Sequence, residues 1–230
     1  DGSNLGSALA GTIAATRLSA NTEAGFSIVK WTGSGSNATI GHGLSEAPTY
    51  ISVKNLTDTS HWLYGGTFFT NGWSDWMHWN KTDEQGNNSA NAWNSTAPTA
   101  SVFSVGSTYN SISSKDYIAY CWHSVEGYSK VGSYEGNGNV DGTFIYTGFR
   151  PAYFLIKNID SANGWFIMDD KRNTYNVLDK SLDVQDNAAE GDEDQLDFLS
   201  NGVKLRTTSG GRNTSGDSYI YLAFAESPFK

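Results

Sequence analysis

The sequence predicts an all-β chain: two tandem homologous β-sandwich units with little helix. Three observations lead there. First, the second half repeats the first. Pro48-Thr49-Tyr50-Ile51-Ser52-Val53-Lys54-Asn55 returns as Pro151-Ala152-Tyr153-Phe154-Leu155-Ile156-Lys157-Asn158, and the pairs Lys54/Lys157 and Trp62/Trp165 share one spacing of 103 residues. A constant spacing across separate motifs marks a duplicated unit of about a hundred residues, enough chain for a domain. Second, 13% of the chain is aromatic and 25 residues are Gly, while only 17% is charged, below the usual quarter. Third, short runs of β-branched and aromatic residues alternate with clusters of Gly, Ser and Asn, the pattern of strands and turns.

Residues 1–24 are mostly Gly, Ala, Ser, Thr and Asn and read as a low-complexity connector, too poor in large apolar groups to fold alone. The first sandwich repeat, 25–124, opens with the strand Phe26 to Trp31 and the turn Gly33-Ser34-Gly35-Ser36-Asn37. Ala38 to Ile40, Tyr50 to Lys54, His61 to Tyr64, Val102 to Val105 and Tyr117 to His123 supply its other strands; Pro48 starts one of them, a position strands accept. The second repeat, 125–230, follows without a linker. Its strands are Phe144 to Tyr146, Tyr153 to Lys157, Trp165 to Met168, Val203 to Arg206 and Tyr219 to Ala225, and Asn176 to Ala189 is given a turn or two of helix. The repeat places Trp62 and Trp165 in the two cores.

The units diverge in the middle. Unit one carries an aromatic insert, 67–97, with Trp73, Trp76, His78, Trp79 and Trp93 among Asn, Ser and Asp. Unit two carries an acidic loop, 169–197, with Asp169, Asp170, Asp179, Asp183, Asp186, Glu190, Asp192, Glu193, Asp194 and Asp197. Divergent loops on a common scaffold are where function usually resides. Indole faces stack on sugar C–H faces, so Trp73, Trp76, Trp79, Trp93 and His78 are the candidate glycan-binding residues. The competing reading is that the rings pack against unit two or another subunit, because aromatics also dominate stable interfaces.

Other chemistries find little. The net charge is −9, with no Lys/Arg cluster to meet a phosphate backbone or an anionic membrane. No apolar run reaches the length of a membrane span, and the start lacks a signal peptide's charged and apolar regions. The chain is thus expected either to be cut from a longer protein or to reach its place without secretion. Cys121 is the single cysteine; its repeat counterpart is Ala223, which suits a packing position, and no intrachain disulfide can form. His42, His61, His78 and His123 lack the spacing of a zinc site. The acidic loop has oxygens for calcium but not the alternating pattern of a known calcium loop. No nucleophile elbow, phosphate loop or dinucleotide fingerprint is present. No catalytic residue, metal or cofactor is assigned.

The motifs resemble a family. Ala24-Gly25-Phe26-Ser27-Ile28-Val29, Ile40-Gly41-His42-Gly43-Leu44, Tyr117-Ile118-Ala119-Tyr120-Cys121 and Glu126-Gly127-Tyr128-Ser129-Lys130 are similar to a tandem repeat of tail-fibre and other virion structural proteins of tailed bacteriophages, especially marine ones. Tyr146-Thr147-Gly148-Phe149-Arg150-Pro151, Leu196 to Gly202 and Tyr219 to Glu226 extend the resemblance over roughly residues 24 to 229. It implies a non-enzymatic virion protein, located in a tail fibre or similar appendage, that positions or forms a host-contacting surface. Its implied partners are other virion proteins, copies of itself (a trimer, as in many fibres) and a host surface glycan. The alternatives are a carbohydrate-binding module of a secreted or cell-surface protein, and a polysaccharide depolymerase domain using carboxylates from 169–197.

Overall fold

The computed structural model describes residues 10–86 and 89–228, with Glu193 and Asp194 described in backbone only. Residues 1–9 of the expected connector, Asn87 and Asn88 of the insert and the last two residues lie outside that range. The chain is all-β with little helix: among the described residues, α-helix is confined to the single turn α1 (Ala90–Trp93), capped by the Ser89 side chain, which accepts from the Asn91 N–H at 3.1 Å. It divides into two compact units. Unit 1 takes the chain up to His78 and again Gln85–His123; unit 2 takes Trp79–Glu84 and everything from Ser124.

Unit 1 contains β1 (Arg17–Asn21), β2 (Phe26–Thr32), β3 (Ala38–Gly41), β4 (Tyr50–Asn55), β5 (Leu63–Gly66), β6 (Met77–His78), β7 (Val102–Val105) and β8 (Asp116–Trp122). Six of them form an antiparallel sheet in the order β1-β2-β8-β4-β5-β6, and β3 pairs with β7 separately. Alternation in the sequence sets the buried face. Ser27, Val29 and Trp31 of β2 and Tyr117, Ala119 and Cys121 of β8 point inward, while their neighbours do not. They meet Ile40, Phe103 and Val105 of the β3–β7 pair in one core. Trp31 joins the two layers: it stacks on Tyr117 at 5.4 Å, meets Phe103 edge-on at 5.6 Å, and donates its indole N–H to the Asn110 carbonyl at 3.1 Å. Just past β2, Gly33 comes so close to the Ile112 carbonyl that a side chain there would meet it at 2.2 Å.

Unit 2 contains β9 (Ser129–Glu135), β10 (Phe144–Tyr146), β11 (Pro151–Asn158), β12 (Trp165–Asp169), β13 (Leu178–Asp183), β14 (Gly191–Leu199), β15 (Gly202–Leu205) and β16 (Ser218–Ala225). All eight join in one sheet, β10-β15-β14-β13-β12-β11-β16-β9. The sheet curls until its two edge strands nearly meet. The Thr143 hydroxyl donates to the Glu135 carbonyl at 2.7 Å, and the Lys130 ammonium to the Tyr146 carbonyl at 2.9 Å. The sandwich expected for this unit is therefore corrected to a nearly closed barrel-like sheet. Closure removes most of the exposed edge that an open sheet would leave. Its core gathers Phe154, Ile156, Met168, Leu196, Phe198 and Tyr219 with their neighbours.

Four further expectations are corrected. Residues 17–21 of the supposed connector form β1, hydrogen-bonded to β2 from Arg17↔Lys30 to Asn21↔Phe26. Residues 176–189 hold β13 instead of a helical turn, and much of the acidic stretch 169–197 lies in β12, β13 and β14 instead of a loop. Trp62 is only half-buried, its ring 5.9 Å from Tyr120, whereas Trp165 is 1% exposed. Trp165→Ala should therefore cost about 3–5 kcal/mol and Trp62→Ala much less. Urea denaturation of the two variants checks this; equal losses would place both rings in cores.

Candidate functional site

The insert was expected to offer indole faces to a ligand, but most of its rings turn inward. Trp93, at the end of α1, is 0% exposed, and Trp73 in the 3-10 turn Gly72–Ser74 is also buried. They meet edge to face at 5.3 Å. Trp93 lies so flat on β5 that a side chain on Gly65 would strike its ring at 2.2 Å. Trp93 has no exposed surface and is corrected from a ligand-binding to a core residue; Trp73 joins the same core, with only its edge lining an open pocket beside Pro48 and Pro98. Trp79 belongs to unit 2, where it stacks on Trp165 at 4.6 Å with an interplanar angle of 11°. The packing reading describes Trp79 alone; Trp73 and Trp93 bury in the core of unit 1 itself, which neither reading named.

Trp76 and His78 take a different course. They lie at β6, which pairs with β5 through Leu63↔His78 and Tyr64↔Met77. The half-buried Trp76 ring contacts His78 at 5.1 Å and Tyr109 at 4.9 Å. His78 in turn lies 5.1 Å from His61. His61, His78 and Tyr109 wall an open cleft of about 270 Å³. Val53 and Leu63, both buried, form its floor. Thr59 and Ser60 supply its exposed polar side, and the buried Asn55 also lines it. His61 was not singled out for binding from the sequence, and Tyr109 was missed altogether. The signal lies in the β5–β6 register, which sequence does not give.

The remaining histidine and cysteine candidates are structural. His42 is buried; its Nδ1 accepts from the Leu44 N–H at 3.1 Å, so Nε2 carries the proton and donates to the Thr99 carbonyl at 3.0 Å. Burial lowers its pKa, against the opposing effect of the Thr99 bond. Burial pushes the Cys121 thiol up to about 12, which leaves it protonated at neutral pH. Among the described residues no three His, Cys, Asp or Glu side chains gather as a metal-binding group, and no helix is long and apolar enough to cross a membrane.

In unit 2 several of the acidic side chains meet cations. Asp197 pairs with Arg206 at 2.6 Å, Asp192 with Lys180 at 2.9 Å and Asp169 with Arg172 at 3.1 Å. The Asp192-Glu193-Asp194 calcium candidate rests partly on side chains outside the described set. Lys157 is the unusual charge of this unit. It is 0% exposed, and its ammonium donates to the carbonyls of Asn163 at 2.7 Å and Thr82 at 3.3 Å. Burial lowers its pKa to about 8, against the attraction of Asp83 and Glu84, which raises it.

Fold and site together define an all-β protein of two compact units, one with an aromatic cleft and the other with an ion-paired barrel-like sheet. Residues 2–228 match the family model described as Domain of unknown function (DUF7483), and the chain belongs to that family. No curated protein and no solved structure matches it.

The buried lysine sets a pH dependence. Its folded pKa of about 8 lies below the ordinary 10.5, so the unfolded chain binds the extra proton between those values. Stability contributed by this group therefore rises with pH across that window, by up to about 3 kcal/mol. Cys121 acts oppositely above the ordinary thiol pKa, so the difference between wild type and Lys157→Met isolates the lysine. Denaturation of both proteins from pH 7 to pH 10 should show wild type gaining stability relative to the variant. A constant difference would mean that Lys157 titrates normally.

Proposed function

We propose that the chain is a non-enzymatic structural module of a tailed-phage virion, built by duplication of one β unit. Its place is a tail fibre or similar appendage, where it positions or forms a host-contacting surface. The motif strings shared with phage virion repeats support the setting. The observation that carries the duplication, and with it the modular reading, is strand register. Trp31 faces Tyr117 in β2–β8, and Tyr134 faces Tyr219 in β9–β16. Tyr50 faces Trp122 where Tyr153 faces Phe224, and Val53 faces Leu63 where Ile156 faces Phe166.

Smaller features agree. The Asn55 side chain accepts from the N–H groups of Thr57 and Asp58, as Asn158 does from Asp160 and Ser161. The Tyr117 hydroxyl accepts from the Ile112 N–H, as Tyr219 does from Thr214. Trp31 stacks on Tyr117, and Tyr134 stacks on Tyr219. Repeated units of this kind suit a part whose work is to hold a surface in place. The chain would assemble there with other virion proteins and with two further copies of itself. The depolymerase alternative loses Asp169, Asp192 and Asp197 to pairs with Arg and Lys, but keeps Asp183, whose pKa is raised by burial and by the neighbouring Asp186. The carbohydrate-binding alternative is favoured by one feature, the cleft of unit 1.

Mass spectrometry of purified particles, with immunogold labelling, tests the setting. Peptides of this chain should co-purify with the particle, and label should fall on the tail. Recovery only from the medium or the host cell would overturn the proposal. The duplication has its own test. A side chain on Gly33 would meet the Ile112 carbonyl at 2.2 Å, and one on Gly136 the Thr214 carbonyl at 2.2 Å. Gly33→Ala and Gly136→Ala should each cost about 1–3 kcal/mol by overpacking, read by urea denaturation. A loss at one position alone would count against a common turn.

A further inference from the structure

We propose that the cleft of unit 1 walled by His61, His78 and Tyr109 binds one ring of a neutral saccharide. This deepens the host-contact reading and depends on it only for the source of the sugar.

The shape comes first. Val53 of β4 and Leu63 of β5 give a flat apolar floor, and the three rings rise around it. Tyr109 is 39% exposed, so part of its ring is open to a ligand. Trp76 sits behind the wall, touching both His78 and Tyr109, and so holds two of the three rings before any ligand arrives. Rings fixed in advance lose little freedom on binding. At about 270 Å³ the cleft falls just below the range of roughly 300–1,000 Å³ that takes drug-sized molecules. It suits a single small ring.

The chemistry selects the class. No carboxylate, ammonium or guanidinium lines the cleft. An anionic or cationic ligand would lose hydration there without meeting an opposite charge. The lining offers instead imidazole, phenol and hydroxyl groups, which as a set both donate and accept. Sugar hydroxyls also do both. The negative face of an aromatic ring attracts polarised C–H edges, which a pyranose presents on its apolar side.

The contrast with unit 2 sharpens the argument. The β5–β6 pair Leu63↔His78 corresponds in register to the β12–β13 pair Phe166↔Asp183. In unit 2 that place is filled. The Phe166 ring lies 3.9 Å from the Arg212 guanidinium and leaves only 2.5 Å to where a side chain on Gly211 would begin. Unit 1 carries the smaller Leu63 and the ring of Tyr109, which leave the space open and aromatic.

The test uses the whole chain and backbone amide NMR shifts. The probes are methyl glycosides of glucose, galactose, mannose and N-acetylglucosamine, with sialic acid and zinc chloride for comparison. At least one neutral glycoside should shift the amides of residues 59–63, 78 and 109. Tyr109→Ala should weaken that binding by about tenfold. Ser60→Trp, which fills the mouth from an exposed position, should abolish it without touching the core. Four results would overturn the proposal: no neutral glycoside moves those amides; the shifts survive Ser60→Trp; only sialic acid moves them; or only zinc does, which would make the two imidazoles a metal site. An empty cleft in a chain found on particles leaves the virion reading intact. Sugar binding by a chain absent from particles does the reverse.

Discussion

β8 lies at the far end of its unit's chain from β2, yet it hydrogen-bonds to β2 along one edge and to β4 along the other. β16 repeats the arrangement between β9 and β11. Each unit is thus completed by its last strand, which is inserted between two earlier strands. Loop closure must be met before these contacts reward it, so the local hairpins β4–β5 and β11–β12 cannot hold either unit alone. Everything described above hangs on this insertion. It presents Tyr117 to Trp31 and Tyr219 to Tyr134, and it lets a neighbouring strand carry β5, on which the cleft is built.

Given that common centre, the units differ in how they treat the flank. In unit 1 the sheet continues only as far as the two-residue β6, and the chain before and after it brings Trp73 and Trp93 into the core. In unit 2 the same flank extends through β13, β14 and β15 until the sheet nearly closes. Barrel-like closure fills the interior with side chains, and the outer strands can then bear many charges. Lys180–Asp192 and Arg206–Asp197 tie those strands. The exposed Lys180–Asp192 pair contributes little by itself, whereas Arg206 compensates the buried Asp197 carboxylate. The short flank of unit 1 leaves a cleft beside β5, and the long flank of unit 2 fills that place with Phe166 and Arg212.

The aromatic insert illustrates the same division among residues. Four tryptophans in polar company read alike in sequence, but their fates diverge. Trp93 is carried inward by α1, Trp73 by a 3-10 turn, and Trp79 is taken into unit 2 to stack on Trp165. Trp76 alone joins the cleft, and as a support behind its wall. Apolar area drives each ring to the nearest concavity, and only the assembled fold says which concavity that is.

The sequence by itself determined the strands with clean alternation. β2 and β8 bury every second residue, and no other conformation hides Val29, Trp31, Ala119 and Cys121 on one face. It also carried the repeated motifs, because glycine and asparagine at turns are local requirements. It did not determine β1, β13 or β14, whose stretches are polar or acidic and lack a strong strand preference. Those segments are strands because a neighbour offers backbone partners, a tertiary condition. The cleft was half legible: His78 was marked, but His61 and Tyr109 join it only through the pairing of β5 with β6 and the return of the chain after β7. Registers, the closing of one flank and the opening of the other depend on contacts between residues far apart in the chain, and local sequence does not encode distance in space.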